Sequence, residues 1–180
     1  MLDILHQEHI NIAKLLDMLR DNLATIRNEQ PVRFSVLNDA LTYLRDVSDT
    51  QHHPREDLIY DYFATYRCTD PSIVTTTLKD QHKQIVSSGE KLQEMVAMIL
   101  MDAVIPLDRV AVALEQFIAL QQRHLDYEES VIFPLLKQAL TEDDWRHLEH
   151  NWVNMIDADP LFGREVAERY QDLATQLLSA

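Results

Sequence analysis

Two short stretches of this chain pair an imidazole with a carboxylate four positions later. His52 precedes Glu56 in the run Thr50-Gln51-His52-His53-Pro54-Arg55-Glu56-Asp57, and His124 precedes Glu128 in Arg123-His124-Leu125-Asp126-Tyr127-Glu128-Glu129. On a helix, positions i and i+4 lie on one face. Imidazole with carboxylate is a donor set for borderline first-row metals. The two pairs can do that chemistry only if separate helices turn them toward one shared space.

The elements that must do this are legible. Only 2 glycines and 6 prolines punctuate the 180 residues, and 46% of them are hydrophobic. Long helices around a proper core are expected, rather than a turn-rich β fold. A first helix over about residues 2–27 carries the stripe Leu2, Leu5, His9, Ile12, Leu16, Leu19, Leu23, Ile26, in alternating steps of three and four. Pro31 turns the chain. A second, from about Val32 to Tyr66, carries Leu37, Leu41, Leu44, Ser48, His52, Glu56, Ile59, Phe63 and Tyr66, with Pro54 predicting a kink or break near residues 50–53. The third opens on Asp70 as N-cap and Pro71 as first helical residue. Its stripe is Val74, Leu78, His82, Ile85, Gly89, Leu92, Val96, Ile99, where Gly89 would let a neighbouring helix approach closely. The fourth starts near Pro106, runs to about Ala139, and carries Val110, Leu114, Phe117, Gln121, His124, Glu128, Val131 and Leu135, with Pro134 disturbing its last turn. Thr141-Glu-Asp-Asp144 then reads as a cap with an acidic first turn, beginning a short helix with Trp145 and Trp152. A last amphipathic helix is expected from about Phe162 to Leu178, with Val166, Tyr170, Leu173 and Leu177 inward.

The expected fold is all-α: an antiparallel up-down-up-down four-helix bundle over residues 1–140, with two extra C-terminal helices in an extension, 141–180, packed on it. His9, His52, Glu56, His82, His124 and Glu128 then occupy apolar stripes on four helices. Counted at about 1.5 Å per residue, they also fall at one level of an antiparallel bundle. Inward carboxylates need compensation, which a bound cation supplies. Four imidazoles and two carboxylates exclude an all-oxygen magnesium or calcium cage. Without a cysteine cluster, a closed structural zinc site is disfavoured. Two metal ions suit six ligands with two carboxylates able to bridge; iron comes first, manganese or zinc after it.

Charge and composition bound the rest. A formal net charge of -14 argues against nucleic acid and anionic membranes as partners, since both need a basic patch. Cys68 is the single cysteine, so no internal disulfide forms. The N-terminus lacks the regions of a signal peptide, and the most apolar run, residues 95–105, is interrupted by Asp102 and too short to span a bilayer. A cytoplasmic protein is expected; its oligomeric state and protein partner are left open.

Glu8-His9, the His52-His53-Pro54-Arg55-Glu56-Asp57 run, Asp80-Gln81-His82 and His124 with Glu128-Glu129 together resemble the hemerythrin-like (HHE cation-binding) domain, over about residues 1–140. The resemblance implies a four-helix bundle with a non-haem di-iron centre, bridged by carboxylates and oxo or hydroxo groups. It implies ligands at His9, His52, Glu56, His82, His124 and Glu128, and binding of, or reaction with, oxygen, peroxide or nitric oxide; hydrolysis is not implied. Whether the chain is an enzyme stays open. The oxygen-carrying members have two histidines four apart on their third helix; here Leu78 and Val86 flank His82. Their carboxylate usually stands five after the last histidine, where this chain has Glu129, although the stripe favours Glu128. His6, His53 or Tyr127 could replace a missing ligand, and of these His53 points about 100° from His52 in a regular helix, toward solvent or the site's surroundings. These departures favour small-molecule activation, sensing or iron handling over oxygen transport. Two further readings are an iron-sensing or iron-donating (iron-repair) module and a metal-free helical interaction protein. His147 and His150 are expected at the surface, and Tyr60 in the packing.

Overall fold

Stripes with steps of three and four emerge as long helices in the computed structural model, which describes residues 1–68, 72–152 and 158–179, without the side chains of 72–76 and 179. The chain forms α1 (Leu2–Arg27), α2 (Phe34–Tyr43), a π-helical segment (Leu44–His52), α3 (His53–Tyr66), α4 (Ser72–Leu100), α5 (Leu107–Tyr127), a second π-helical segment (Glu128–Ile132), α6 (Phe133–Ala139), α7 (Glu142–Trp152) and α8 (Gln171–Ser179). The cap expected at Asp70 and Pro71 and the side chain of Val74 lie outside the described residues. No strand occurs among the described residues, and no helix of theirs is long and apolar enough to cross a membrane.

Both expected proline kinks take the same form. Pro54 and Pro134 each stand second in an α-helix, and each is preceded by π-helical turns that end two residues earlier. Proline cannot donate to the carbonyl four residues back, and its ring presses on that carbonyl. Wider turns with i→i+5 bonding accommodate it without a break. They also shift the inward face by a residue. Val131, expected inside, is exposed, while Ile132, Phe133 and Leu136 are buried. On the other strand of this logic, His53, Arg55 and Tyr60 join the buried face beyond the first π-helical segment. Tyr66, also expected inside, is exposed at the end of α3.

Apolar side chains gather in two clusters at opposite ends of the bundle. One holds Ile12, Leu16, Leu41, Leu44, Ile85, Leu114 and their neighbours. The other holds Leu2, Leu5, Ile59, Phe63, Leu78, Ile132 and Leu136. Thus the start of α1, the end of α3, the start of α4 and the end of α6 share one end, as an alternating order of helices requires. At Gly89 α4 lies close against α5: a Cβ there would lie 3.1 Å from Phe117 Cε2.

The extension divides between the two ends. Leu148 and Trp152 of α7 enter the second cluster. Its start is capped reciprocally: Asp144 accepts the Thr141 N–H and hydroxyl at 2.8 Å, and Thr141 Oγ1 accepts the Asp144 N–H at 3.3 Å. Asp144 also takes two bonds from Arg67 and one from Tyr62, tying α7 to α3. Tyr170 and Leu173 enter the first cluster. The last helix is shorter than expected, since Asp159 Oδ1 accepts the N–H groups of Leu161 and Phe162 at 2.8 Å and holds a turn there. Gly163 closes that turn; a Cβ on it would lie 2.2 Å from the Asp159 carbonyl oxygen. Val166 is consequently exposed instead of inward.

Candidate metal centre

Between the two apolar clusters lies a polar layer. On α1 it is His9, between Leu5 and Ile12. On the first π-helical segment and α3 it is Ser48, His52, His53 and Glu56. On α4 it is His82, and on α5 with its π-helical continuation it is Gln121, His124 and Glu128. All of these are buried, Glu56 and Glu128 completely.

The imidazoles form two groups. His9 Nε2 lies 3.0 Å from His52 Nε2, and these nitrogens stand 3.2 and 3.1 Å from Glu56 Oε1. His82 Nε2 lies 3.1 Å from His124 Nε2 and 3.6 Å from the other oxygen, Glu56 Oε2. His53 belongs to this second group, its ring stacked on His82 at 4.1 Å. Glu128 Oε2 stands 3.4 Å from His9 Nε2 and 3.2 Å from His124 Nε2, facing both groups. Its Oε1 accepts the Tyr60 hydroxyl at 2.7 Å. Two sets of ligand atoms lie within 4.8 Å of one another: His9, His52 and Glu56; and His53, Glu56, His82 and His124. Glu56 is in both.

Behind the nitrogens runs a ring of outer partners. Glu8 accepts from His52 Nδ1 at 2.7 Å, Glu129 from His9 Nδ1 at 2.7 Å, and Gln81 from His124 Nδ1 at 3.0 Å. Asp57 Oδ1 lies 3.3 Å from His82 Nδ1. Each of the four is the sequence neighbour of an inward residue, on the side before His9 and His82 and after Glu56 and Glu128. Each serves a histidine of the adjoining helix, so the ring closes around the bundle. Such contacts fix which ring nitrogen faces inward. Glu8 is itself held by the buried Arg55 at 2.6 Å, whose guanidinium lies over the Trp152 ring.

The electrostatics mark a layer in which burial sets neighbouring groups against one another. Burial works against a charge on Glu56, but His52, His82 and His9 hold its carboxyl ionised, well below the usual range. Burial and the neighbouring Glu56 push Glu128 well above it, so Glu128 keeps a proton. Burial opposes protonation of His52, yet Glu56 and Glu8 outweigh it and raise it to about 10. His82 rises to about 9 against burial, through Asp57 and Glu56. Burial takes His124 down to about 3, with the positive charges of His82, His52 and His9 adding to it. Two facing carboxylates of which one must stay protonated are relieved by a cation between them.

The donor set fits metal ions. Glu56 Oε2 and Glu128 Oε2 are buried without a hydrogen-bond partner, an expensive condition that metal coordination removes. Five imidazoles and two carboxylates are also the chemistry of iron, manganese or zinc rather than calcium.

All six residues expected inward therefore meet in one layer. His53, which a regular helix turns about 100° from His52 and which the sequence offered only as a possible replacement ligand, joins the layer beyond the π-helical segment. Sequence periodicity missed the outer ring, whose only signal was the polar residue beside each inward one. Glu129, half-exposed, receives His6 as well as His9. Tyr60 is a hydrogen-bond donor to the site and more than packing. Tyr127 is half-buried, and His147 and His150 are exposed.

Among curated proteins none matches this chain. The sequence description of the hemerythrin HHE cation binding domain matches residues 1–157, past the end of the four long strands of helix and through α7. With that match covering most of its length, and a buried histidine and glutamate cluster at its centre, the chain belongs to the hemerythrin HHE cation-binding family.

Proposed function

We infer that the chain is a non-haem di-iron protein that binds or reacts with a small oxidant: oxygen, peroxide or nitric oxide. The observation that carries this reading is Glu56. Its two oxygens address the two imidazole groups separately, Oε1 toward His9 and His52 and Oε2 toward His82. A carboxylate so placed suits two ions better than one. In this reading His9, His52, Glu56, His82, His124 and Glu128 are ligands, and His53 supplies the fifth imidazole that α4 lacks. Iron when bound supplies one-electron chemistry and positions for a small ligand.

The chain's own residues do the rest. The two apolar clusters close the layer off at its two ends. Tyr60 orients Glu128, and its hydroxyl stays protonated, since burial with Glu128 and Glu56 beside it raises it well above the usual range. It is thus a proton donor fixed 2.7 Å from a ligand oxygen. Glu8 and Glu129 accept from the outer nitrogens of His52 and His9 and make those imidazoles stronger donors. Iron storage or donation is a second reading, favoured by the weaker outer contacts of His53 and His82.

Anaerobic loading with iron(II), followed by exposure to oxygen, peroxide or nitric oxide, tests this. An oxo-to-iron charge-transfer band, or a nitrosyl spectrum with nitric oxide, is the expected result. Iron that binds but leaves the spectrum unchanged with all three ligands would move the assignment to the second reading. No stoichiometric metal after loading would overturn both.

A further inference from the structure

Beside the centre, between the start of α3 with its preceding π-helical turns and the middle of α4, the surface opens into a groove of about 440 Å³. His53 and His82 line it from within, and Asp49, Asp57 and Glu90 line it toward solvent. Side-chain exposure falls in steps along this path: 32% at Asp57, 13% at Asp49, 8% at His82, 5% at His53, and 0% at Glu56.

The path is lined with polar atoms that lack hydrogen bonds. Asp49 Oδ1, Asp57 Oδ1, His53 Nδ1 and His82 Nδ1 are all buried and make no hydrogen bond. The His53–Asp49 and His82–Asp57 pairs stand 3.4 and 3.3 Å apart, close enough for charge but without hydrogen-bond geometry. The outer nitrogens of His9, His52 and His124 are all bonded. Four buried polar atoms in one place, paired only by charge and without a hydrogen bond, is a concentration that folded proteins rarely carry without a ligand to meet it. Two lysines border the groove, but they are engaged elsewhere: Lys79 with Asp61 at 2.8 Å and Lys83 with Asp80 at 3.2 Å.

We propose that this groove is the loading port of the centre: Glu90, Asp57 and Asp49 draw in a hydrated divalent cation, which His53 and His82 pass to Glu56. This rests on the reading that the inner layer holds metal. The transfer is an exchange of ligands, water for carboxylate oxygen and then oxygen for imidazole nitrogen, with no change in oxidation state. The donor groups tight enough to hold an ion at rest, among the described residues, are the two inner ones. The outer carboxylates therefore serve passage, not storage.

The test follows cobalt(II) uptake by the metal-free full chain in a stopped-flow instrument, through the ligand-field bands of the bound ion. Glu90→Gln slows uptake about threefold and Glu90→Lys about tenfold, the scale on which a charged cleft changes association rates. Asp49→Asn slows it comparably. The final spectrum and the cobalt bound at equilibrium stay as in wild type, and Asp108→Lys, a charge change at the exposed start of α5, leaves the rate unaltered. Equal rates in all variants, or slowing by Asp108→Lys as much as by Glu90→Lys, would overturn the port. So would Asp49→Asn changing the equilibrium content while the Glu90 variants change nothing, since Asp49 would then only support His53. A wild-type chain that takes up no cobalt would instead overturn the metal centre itself, which separates the two failures.

Discussion

His9 and His52 rest on carboxylates 2.7 Å from their outer nitrogens, and one of those carboxylates is itself clamped by a buried arginine. His53 and His82 face aspartates at 3.4 and 3.3 Å without hydrogen bonds, and His124 faces a neutral glutamine at 3.0 Å. The first half thus has two imidazoles, both firmly held by carboxylates. The second has three, of which His53 and His82 are held more loosely and border a groove. Ligand number and ligand support have been traded against each other. The half poorer in nitrogen donors is the one whose two histidines are best fixed in orientation.

The largest effect should come from removing one half at a time. His52→Ala should cost about one of two metal equivalents, with the second half still loaded, and His82→Ala should do the reverse, since each imidazole group would serve its own ion. Metal analysis after desalting reads both. If either variant loses all metal, the halves are one site and the comparison fails.

Next in size is the support of the first half. Glu8→Gln leaves His52 in place but removes the charge behind it, and should weaken metal binding there by about 10- to 100-fold. The second half should be unaffected in a competition with a chromophoric chelator. The matching change in the second half, Gln81→Ala, removes one neutral hydrogen bond, worth about 1 kcal/mol, and so about fivefold in affinity. Equal losses from the two changes would erase the distinction drawn between the halves.

Acid should act on both halves. His52 and His82 titrate at about 10 and about 9 in the metal-free protein, so at neutral pH both carry protons. A metal needs the unprotonated Nε2, so loading must expel them, and Glu128 loses its proton too. Affinity should therefore rise with pH on the order of tenfold per unit for each proton displaced, levelling off above the folded values. Proton release on loading at pH 7, followed with an indicator dye, checks the sign; proton uptake would contradict it.

Much of this was readable from residue spacing, because a metal layer inside a bundle must interrupt apolar stripes. His9 between Leu5 and Ile12, and His82 between Leu78 and Ile85, are such interruptions, and the count along each helix put them at one level. What was lost depends on the helices not being uniform. Steps of four through Leu44, Ser48, His52 and Glu56 fit wider turns than an α-helix has, and the prolines two residues beyond each π-helical segment are their cause. Reading both stretches with a regular period placed Val131 inside and turned His53 away. The outer ring is a tertiary property: Glu8 adjoins His9 in sequence but serves His52, and no local pattern says so. The turn at Asp159, which shortens the last helix, was hidden because a side chain, not a glycine or proline alone, ends the extended approach to α8.

The reading of a shared two-ion centre turns on Glu56, whose two oxygens are the link between the halves. Iron per chain, measured by atomic emission after anaerobic loading and desalting of wild type and Glu56→Ala side by side, tests it most directly. The account predicts about two irons in wild type and none retained in the variant, since each ion loses a ligand oxygen and the layer loses the charge that balances both. Two irons retained by Glu56→Ala, or a single iron in wild type, would contradict it.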